Sequence, residues 1–451
     1  MSSLRTILCA DIGTSSLKAA LIDTDGHSHG FSREAYVAAG STGPVTADHW
    51  ERALARALGV LLAQADVCKP DAICVSGNGP TLVPLTKNGE TLASLHWYQG
   101  PLGTTAPQKE GAPAIRSFFL PHALRFLREH PGDYEKTRYL FSAQEWLSWR
   151  LGADAVTALP ASYGPYYWDA AQCGILGLDM GKFPPFVDLG TVIGRLAPEA
   201  VRRLSGLAGG FPEERLPMGI PIIAGGSDFI MALIGTGTVE PGMVCDRAGT
   251  SEGINFCAGN VVTNSAELRV LPHVNPGYRN ISVIIPSSGR LFERYRTLSG
   301  QEQRPYEDTL AELIPEGRIL DPAELGQAVL MAMGFEVRAA MDTLGRHGFP
   351  VSEMRLSGGQ SKSRRWNQLK ADLTGSALLV PEQRDGELAG DAVLGAIALG
   401  EAADLREGIG RIVHIQERYI PNTHTAAIYG QRFQNRRELR DRVGEALHEV
   451  L

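Results

Sequence analysis

The chain has 451 residues, 43% of them hydrophobic, and a formal net charge of −7, which suits two or three compact domains with large cores. With no Lys/Arg cluster denser than pairs such as Arg364–Arg365 and Arg436–Arg437, nucleic acid is not expected as the main partner. Met1–Ala10 carries one Arg and a very short apolar run, too little for a signal peptide or a membrane span, so a cytoplasmic protein without a membrane partner is expected.

Arg5–Ala10 is predicted as a strand, Asp11–Ser16 as a turn and Leu17–Asp23 as a returning strand before the turn pair Asp25-Gly26, so the protein opens on a β-hairpin. From Thr46 to Asp66, residues Trp50, Leu54, Leu58, Leu61 and Leu62 recur at helical spacing, with Thr46 or Asp48 available as a cap. Asp71–Ser76 resumes as a buried strand, and this alternation predicts an α/β class. Tyr98–Gly210 is rich in Gly, Pro and aromatics with few clear periods, and is predicted as irregular connections and short helices around a pocket. Ile220–Asp228 is a strand running into a glycine turn, followed by a helix at Phe229–Ile234, and a domain boundary is placed here, between residues 1–226 and 227–451. Pro322–Arg346 carries Leu325, Val329, Met333, Val337, Met341 and Leu344 at helical spacing, with Gly348 and Pro350 as stop signals. A strand at Met354–Leu356, a helix at Lys362–Thr374, a strand at Ala377–Val380 and a helix at Ala389–Leu399 make the second half α/β as well.

Gly13-Thr14-Ser15 and Gly249-Thr250-Ser251 echo one another 236 residues apart, each between two strand-like runs. The shared strand–turn–strand setting predicts duplication of one α/β core. The six cysteines are scattered, with no Cys-x-x-Cys pair and no histidine cluster to complete a metal site. Buried, reduced thiols are expected.

Several residues can carry chemistry. A tight turn at Gly13-Thr14-Ser15 gathers backbone N–H groups and two hydroxyls on one tip that suits a polyphosphate, with Lys18 adding positive charge; an ordinary glycine turn is the alternative. Asp11 can hold Mg²⁺ through water. Gly249-Thr250-Ser251 supplies a second such tip. Ser357-Gly358-Gly359-Gln360-Ser361 joins a strand to a helix whose N-terminus offers free N–H groups to a nucleotide, or is a βα turn that packs tightly. No Gly-Lys-Ser/Thr ends it, so it is not a Walker A loop. Asp228 is either the N-cap of its helix or the general base that takes the proton of an attacking hydroxyl, and the two roles are compatible.

Asp11–Lys18, Gly225–Asp228, Ala248–Ser251, Leu356–Ser361 with Trp366, and Asp391–Ala396 resemble, in order and spacing, the motifs of the FGGY carbohydrate kinases, xylulokinase-like members above all, across nearly the whole chain. The resemblance implies two ribonuclease H-like domains of the actin/hexokinase superfamily around a central cleft, and an ATP- and Mg²⁺-dependent transfer of phosphate to a hydroxyl of a small sugar or polyol. It implies Asp228 as catalytic base, Asp11 as the magnesium-organising acid, Gly13–Ser15 and Gly249–Ser251 as phosphate contacts, Gly358, Gly359 and Gln360 as nucleotide pocket, and Asp391-Ala392 as the start of the later helix near the nucleotide. On the sugar side Trp97 matches the family's Trp. Asn78 stands where xylulokinase-like members carry an imidazole, Tyr98-Gln99 replaces an Asn-Asp pair, and acidic residues are absent around Thr157–Ala161. The expected acceptor is therefore something other than D-xylulose. The alternative is a non-catalytic nucleotide or sugar sensor on the same fold. A homodimer is compatible with the sequence.

Overall fold

The computed structural model describes residues 4–36, 45–63, 69–96, 115–249, 251–261, 263, 265–286 and 288–448. Trp97, Tyr98, Gln99, Thr250, Cys68 and the predicted C-terminal end of the first helix lie outside the described residues. The chain forms two compact units, Met1–Gly235 with Glu387–Ile412, and Thr236–Gly386 with Val413–Leu451.

In the first unit the strands are β1 (Thr6–Ile12), β2 (Ser16–Asp23), β3 (Ser28–Ala35), β4 (Ala72–Gly77), β5 (Val192–Arg195) and β6 (Pro221–Ser227), arranged β3-β2-β1-β4-β6-β5. The first three form an antiparallel meander, β4 runs parallel to β1, β6 parallel to β4, and β5 closes the edge antiparallel. Every residue of β1 and β4 is buried, as expected of central strands covered on both faces. Helix α1 (Ala47–Leu62) has Thr46 as its N-cap and buries the predicted stripe of Trp50, Leu54, Leu58, Leu61 and Leu62; each such leucine contributes about 2 kcal/mol of apolar transfer.

The second unit holds β7 (Val244–Ala248), β8 (Glu252–Ala258), β9 (Arg269–Pro272), β10 (Arg279–Ile285), β11 (Glu353–Ser357), β12 (Ala377–Pro381) and β13 (Ile415–Tyr419) in the order β9-β10-β8-β7-β11-β12-β13. Here β8 runs antiparallel to both of its neighbours, β10 and β7, while β11 and β12 add in parallel and β13 closes antiparallel. Apart from the extra strand β9, this repeats the order and direction of the first sheet, so the echo of the two hairpins extends to the whole topology.

Two expectations from the sequence differ from the structure. The middle segment is more regular than predicted. It contains a strand, Thr137–Phe141, paired antiparallel with the upstream Val83–Thr86, and helices at Leu120–Glu129, Pro198–Leu207 and α2 (Ala143–Leu151). Helix α2 is buried at Ala143–Ser148 and again at Leu151, so it has no polar face to set up a readable stripe. The chain also divides differently. Helix α3 (Asp228–Gly235) stays with the first unit, and the chain returns to that unit with Glu387–Ile412, which begins inside helix α7. The remaining named helices are α4 (Ser288–Leu298), α5 (Leu325–Arg346), α6 (Arg364–Thr374) and α7 (Gly386–Ala398). Close approach explains the return: a Cβ on Gly390 would lie 2.3 Å from Met231 O, and one on Gly395 would lie 2.5 Å from Ile7 Cγ1. The five described cysteines are buried, and no helix among the described residues is long and apolar enough to cross a membrane.

Candidate active site

In the first unit the site forms at the carboxyl ends of β1, β4 and β6, where an open α/β sheet binds its ligands. Residues 13–15 link β1 to β2. Gly13 N donates to Ser16 O (3.0 Å), while Tyr36 braces the turn by donating its hydroxyl to Gly13 O (2.9 Å) and its N–H to Ser15 O (3.2 Å). Thr14 and Ser15 remain exposed at the tip. Lys18 is the cross-strand partner of Asp11; its Nζ lies 3.6 Å from Asp11 Oδ2 and 3.8 Å from Glu387 Oε2.

Asp391, fully buried on α7, accepts from Ser76 Oγ (3.0 Å) and Cys74 Sγ (3.4 Å). Burial first, then the charge of Asp11, raises its carboxyl well above the usual range. Gly225 makes room for it, since a Cβ there would come within 3.3 Å of Asp391 Oδ1 and 2.2 Å of Val75 O.

Ser227 and Gly77 are register partners of β6 and β4, which puts Asp228 and Asn78 side by side just past the strand ends. Asp228 opens α3, half-buried, and its Oδ1 accepts from Phe229 N (2.6 Å). The carboxylate therefore sits at the positive end of a helix, as expected of an acid that opens one. The Asn78 amide donates to Thr14 Oγ1 (3.4 Å) and accepts from Thr81 Oγ1 (3.2 Å), tying the turn at Gly13–Ser15 to the segment that follows β4.

Two further side chains converge here that sequence reasoning missed. The buried hydroxyl of Tyr167 is hydrogen-bonded to Ser227 and kept protonated by burial, then by the charges of Glu145 and Asp228. Gln144, buried at the N-terminal end of α2, has an Oε1 without a hydrogen-bond partner among the described residues, and a Cβ on Gly77 would lie 3.1 Å from that oxygen. Both come from the segment predicted as irregular. The available signal was Ser142-x-x-Glu145, a capping box in which Ser142 N donates to Glu145 Oε2 (2.7 Å).

Burial pushes Glu145 up to about 7. Its proton is held more tightly in the folded than in the unfolded chain. The associated stability is complete below the unfolded carboxyl pKa and is lost as pH rises through about 7. Glu145→Gln keeps an acceptor for Ser142 N and removes this titration. It is expected to raise the melting temperature at pH 8, by the equivalent of about 3 kcal/mol, and to change it little at pH 4; equal shifts at both pH values would contradict a buried, titrating Glu145.

In the second unit Gly249 N donates to Ser251 O (2.9 Å), and Gly249 and Ser251 are exposed. Gly358 has a positive φ of 98°, and a Cβ on it would lie 2.1 Å from Ala248 O. The Gly358–Gln360 turn is thus pressed against the strand that leads into this tip, and only glycine fits. Gly359 is exposed, and a Cβ on it would meet no atom within 4 Å. Gln360 is buried, with Oε1 accepting from Trp366 Nε1 (3.1 Å) and Nε2 without a partner among the described residues. Behind the tip, Lys370 on α6 is fully buried in ionic contact with Asp246 and Glu252, and Glu252 also accepts from Ser288 Oγ.

Two duplicated α/β units, each with a Gly-Thr-Ser hairpin at its head and one with an acid at a strand-to-helix junction, define a phosphotransferase of the sugar-kinase kind. The chain belongs to the FGGY family of carbohydrate kinases: residues 6–235 match the family's N-terminal domain and residues 299–399 its C-terminal domain. It is a carbohydrate kinase that phosphorylates a hydroxyl of a sugar or polyol, and ATP as the phosphate donor follows from the family. The chain is 21% identical over 365 residues to autoinducer-2 kinase of Salmonella paratyphi B, covering 69% of this chain and 67% of that protein. Its fold is similar to the ligand-bound xylulose kinase of Lactobacillus acidophilus, with TM-score 0.76 and 19% identity over 98% of both chains. Plasmodium falciparum glycerol kinase with ADP matches with TM-score 0.72 and 14% identity over 99% of both.

Proposed function

We propose that Asp228 is the general base that takes the proton of the acceptor hydroxyl as it attacks the γ-phosphoryl group of ATP. The observation that carries this is its position: a half-buried carboxylate at the junction of β6 and α3, beside Asn78 and next to Ser227, which bonds Tyr167. The tips Gly13–Ser15 and Gly249–Ser251, with Lys18, bind the phosphates, and Gly358–Gln360 belongs to the nucleotide pocket. Trp97 and Thr250 keep the sugar-side and phosphate-side roles that the sequence resemblance implies.

Mg²⁺ fits the residues present. Asp11 and Glu387 offer hard carboxylate oxygens around Lys18, and among the described residues no three acidic, His or Cys side chains converge to displace the ion's water. Asp11 would hold it through its hydration shell, as Mg²⁺ prefers. When bound, the ion offsets the negative charge of the phosphates. We place the enzyme in the cytoplasm, where ATP is available and its buried thiols stay reduced.

On the acceptor side, Asn78, Gln144 and Tyr167 provide amides and a hydroxyl, the sequence resemblance adds Trp97, and Ala158 and Ala161 offer no carboxylate. A site built on hydrogen bonds rejects analogues that leave its polar groups unpaired, by roughly 10⁴ or more. D-xylulose is accordingly expected to be at best a poor substrate, and a modified, less hydroxylated or larger polyol the preferred one. The relatives, named for autoinducer-2, xylulose and glycerol, support an acceptor outside any single sugar. An ADP-release screen across ketopentoses, aldopentoses, ketohexoses and polyols, followed by kcat/KM for the best acceptor against D-xylulose, tests this. D-xylulose emerging as the best substrate at ordinary efficiency overturns it.

A further inference from the structure

We propose that Arg384-Asp385-Gly386 is a strap that sets the shape of the nucleotide turn, with Arg384 as its positioning residue. This rests on assigning Gly358–Gln360 to the nucleotide pocket. The three strap residues grip the turn from one end to the other. Gly386 N donates to Ser357 Oγ (3.2 Å), and Gly358 N donates to Arg384 O (3.1 Å). Arg384 Nη1 donates to Lys362 O (3.0 Å) and Ser361 O (3.3 Å), while Lys362 Nζ pairs with Asp385 Oδ2 at 2.9 Å. Arg384 is itself aimed by Glu417 on β13, whose Oε1 accepts from Arg384 Nη2 (2.7 Å) and whose other oxygen accepts from the Tyr419 hydroxyl.

The chemistry explains why an arginine is needed. The turn Gly359–Lys362 is a single 3₁₀ turn, too short to hold its own carbonyls in line. A planar guanidinium can take two neighbouring carbonyl oxygens on one edge and a carboxylate on the other. On the opposite side, Gly358 is pressed against Ala248 O, just before Gly249. The strap therefore pushes the turn toward the strand that carries the second phosphate tip, fixing the distance between the exposed Gly359 backbone and that tip within one unit. Arg384 and Glu417 border an open cleft of about 610 Å³, so truncating Arg384 leaves no buried cavity and should not weaken the core.

The test uses the full chain with its best acceptor. Arg384→Ala is expected to raise KM for ATP by about 10- to 100-fold, the loss associated with charge-assisted hydrogen bonds. The acceptor KM and the melting temperature should hold, and kcat should fall less than threefold. Arg384→Lys should recover part of the loss. Glu417→Gln, which loosens the guanidinium without removing it, should raise KM for ATP about threefold. Titration calorimetry with ADP should show the same order of weakening. A loss spread evenly over kcat, both KM values and melting temperature would mean a merely structural strap and would overturn the proposal. So would an unchanged KM for ATP in Arg384→Ala or, if that variant does not fold, in Glu417→Gln. Gly359→Leu separates the two layers of the argument: its side chain enters the open space over the turn. If it raises KM for ATP while the Arg384 and Glu417 variants do not, the strap fails and the pocket stands. If it also leaves KM for ATP unchanged, the assignment of the turn to the nucleotide is what fails.

Discussion

Asp228→Asn is expected to lower kcat by about 10²- to 10⁴-fold, the range associated with a lost general base, while ADP binding and melting temperature stay near those of the parent. The reason lies in what asparagine keeps and loses. Its side-chain oxygen can still accept from Phe229 N, the bond that opens α3, so the junction should fold as before. It cannot accept the proton of an attacking hydroxyl. Any residual rate would come from positioning and from stabilisation of the phosphoryl group. Steady-state kinetics with the best acceptor, paired with ADP calorimetry, decide the matter: an unchanged kcat removes Asp228 from the mechanism, and lost ADP binding with a lowered melting temperature assigns it a structural role instead.

The second large effect is on stability. Lys370→Met should destabilise the protein by about 3–5 kcal/mol, the cost of leaving buried carboxylates without their cation. Asp246 and Glu252 lie diagonally on one face of β7 and β8 and meet Lys370 with almost no solvent. Burial and then the Glu252 charge raise Asp246 well above the carboxylate range, whereas Lys370 draws Glu252 below it against the opposing effect of burial. Removing the ammonium makes the second carboxyl costly to ionise as well. The loss read by thermal denaturation should therefore be larger at pH 8 than at pH 5, where both acids take up protons more readily. Replacing the group by Asp246→Leu, Glu252→Met and Lys370→Met together should recover most of the loss, because a well-packed apolar substitute for a buried ion cluster is commonly neutral. If Lys370→Met alone melts like the parent, the cluster is not a buried ion group.

Much of the frame was legible in the sequence because it is written in local patterns. Strands β1 and β4 are apolar runs, α1 carries a stripe at helical spacing, and the two Gly-Thr-Ser turns sit between strands, so the duplicated α/β plan could be read before the sheets were seen. Helix α2 escaped because burial on all sides erases periodicity. Tyr167 and Gln144 escaped for a different reason. Their relevance comes from Ser227 and Gly77, distant in the chain and brought together only by the register of β4 and β6. Lys370 is legible from local spacing: it lies four residues after Trp366 and three before Leu373, on the buried face of α6, so a lysine there requires buried acids somewhere. Asp391 posed the same question on α7, and its answer, Ser76 and Cys74 more than 300 residues earlier, was beyond any local pattern.

The return of Glu387–Ile412 to the first unit has a consequence for synthesis. A chain emerging from the ribosome has all six strands of the first sheet by Gly235, yet the helix that covers Ile7 and Met231 and supplies Asp391 arrives only after the next 151 residues, Thr236–Gly386, have been made. Until then Cys74 and Ser76 lack the acid they bond, and the backbone at Gly225 faces a gap. The usual order, in which the N-terminal domain folds first and waits, is closed to this protein. Its first unit is completed late, by a segment that must thread back after most of the second has been translated, so an expression fragment ending at Gly235 should be poorly soluble where the full chain is not.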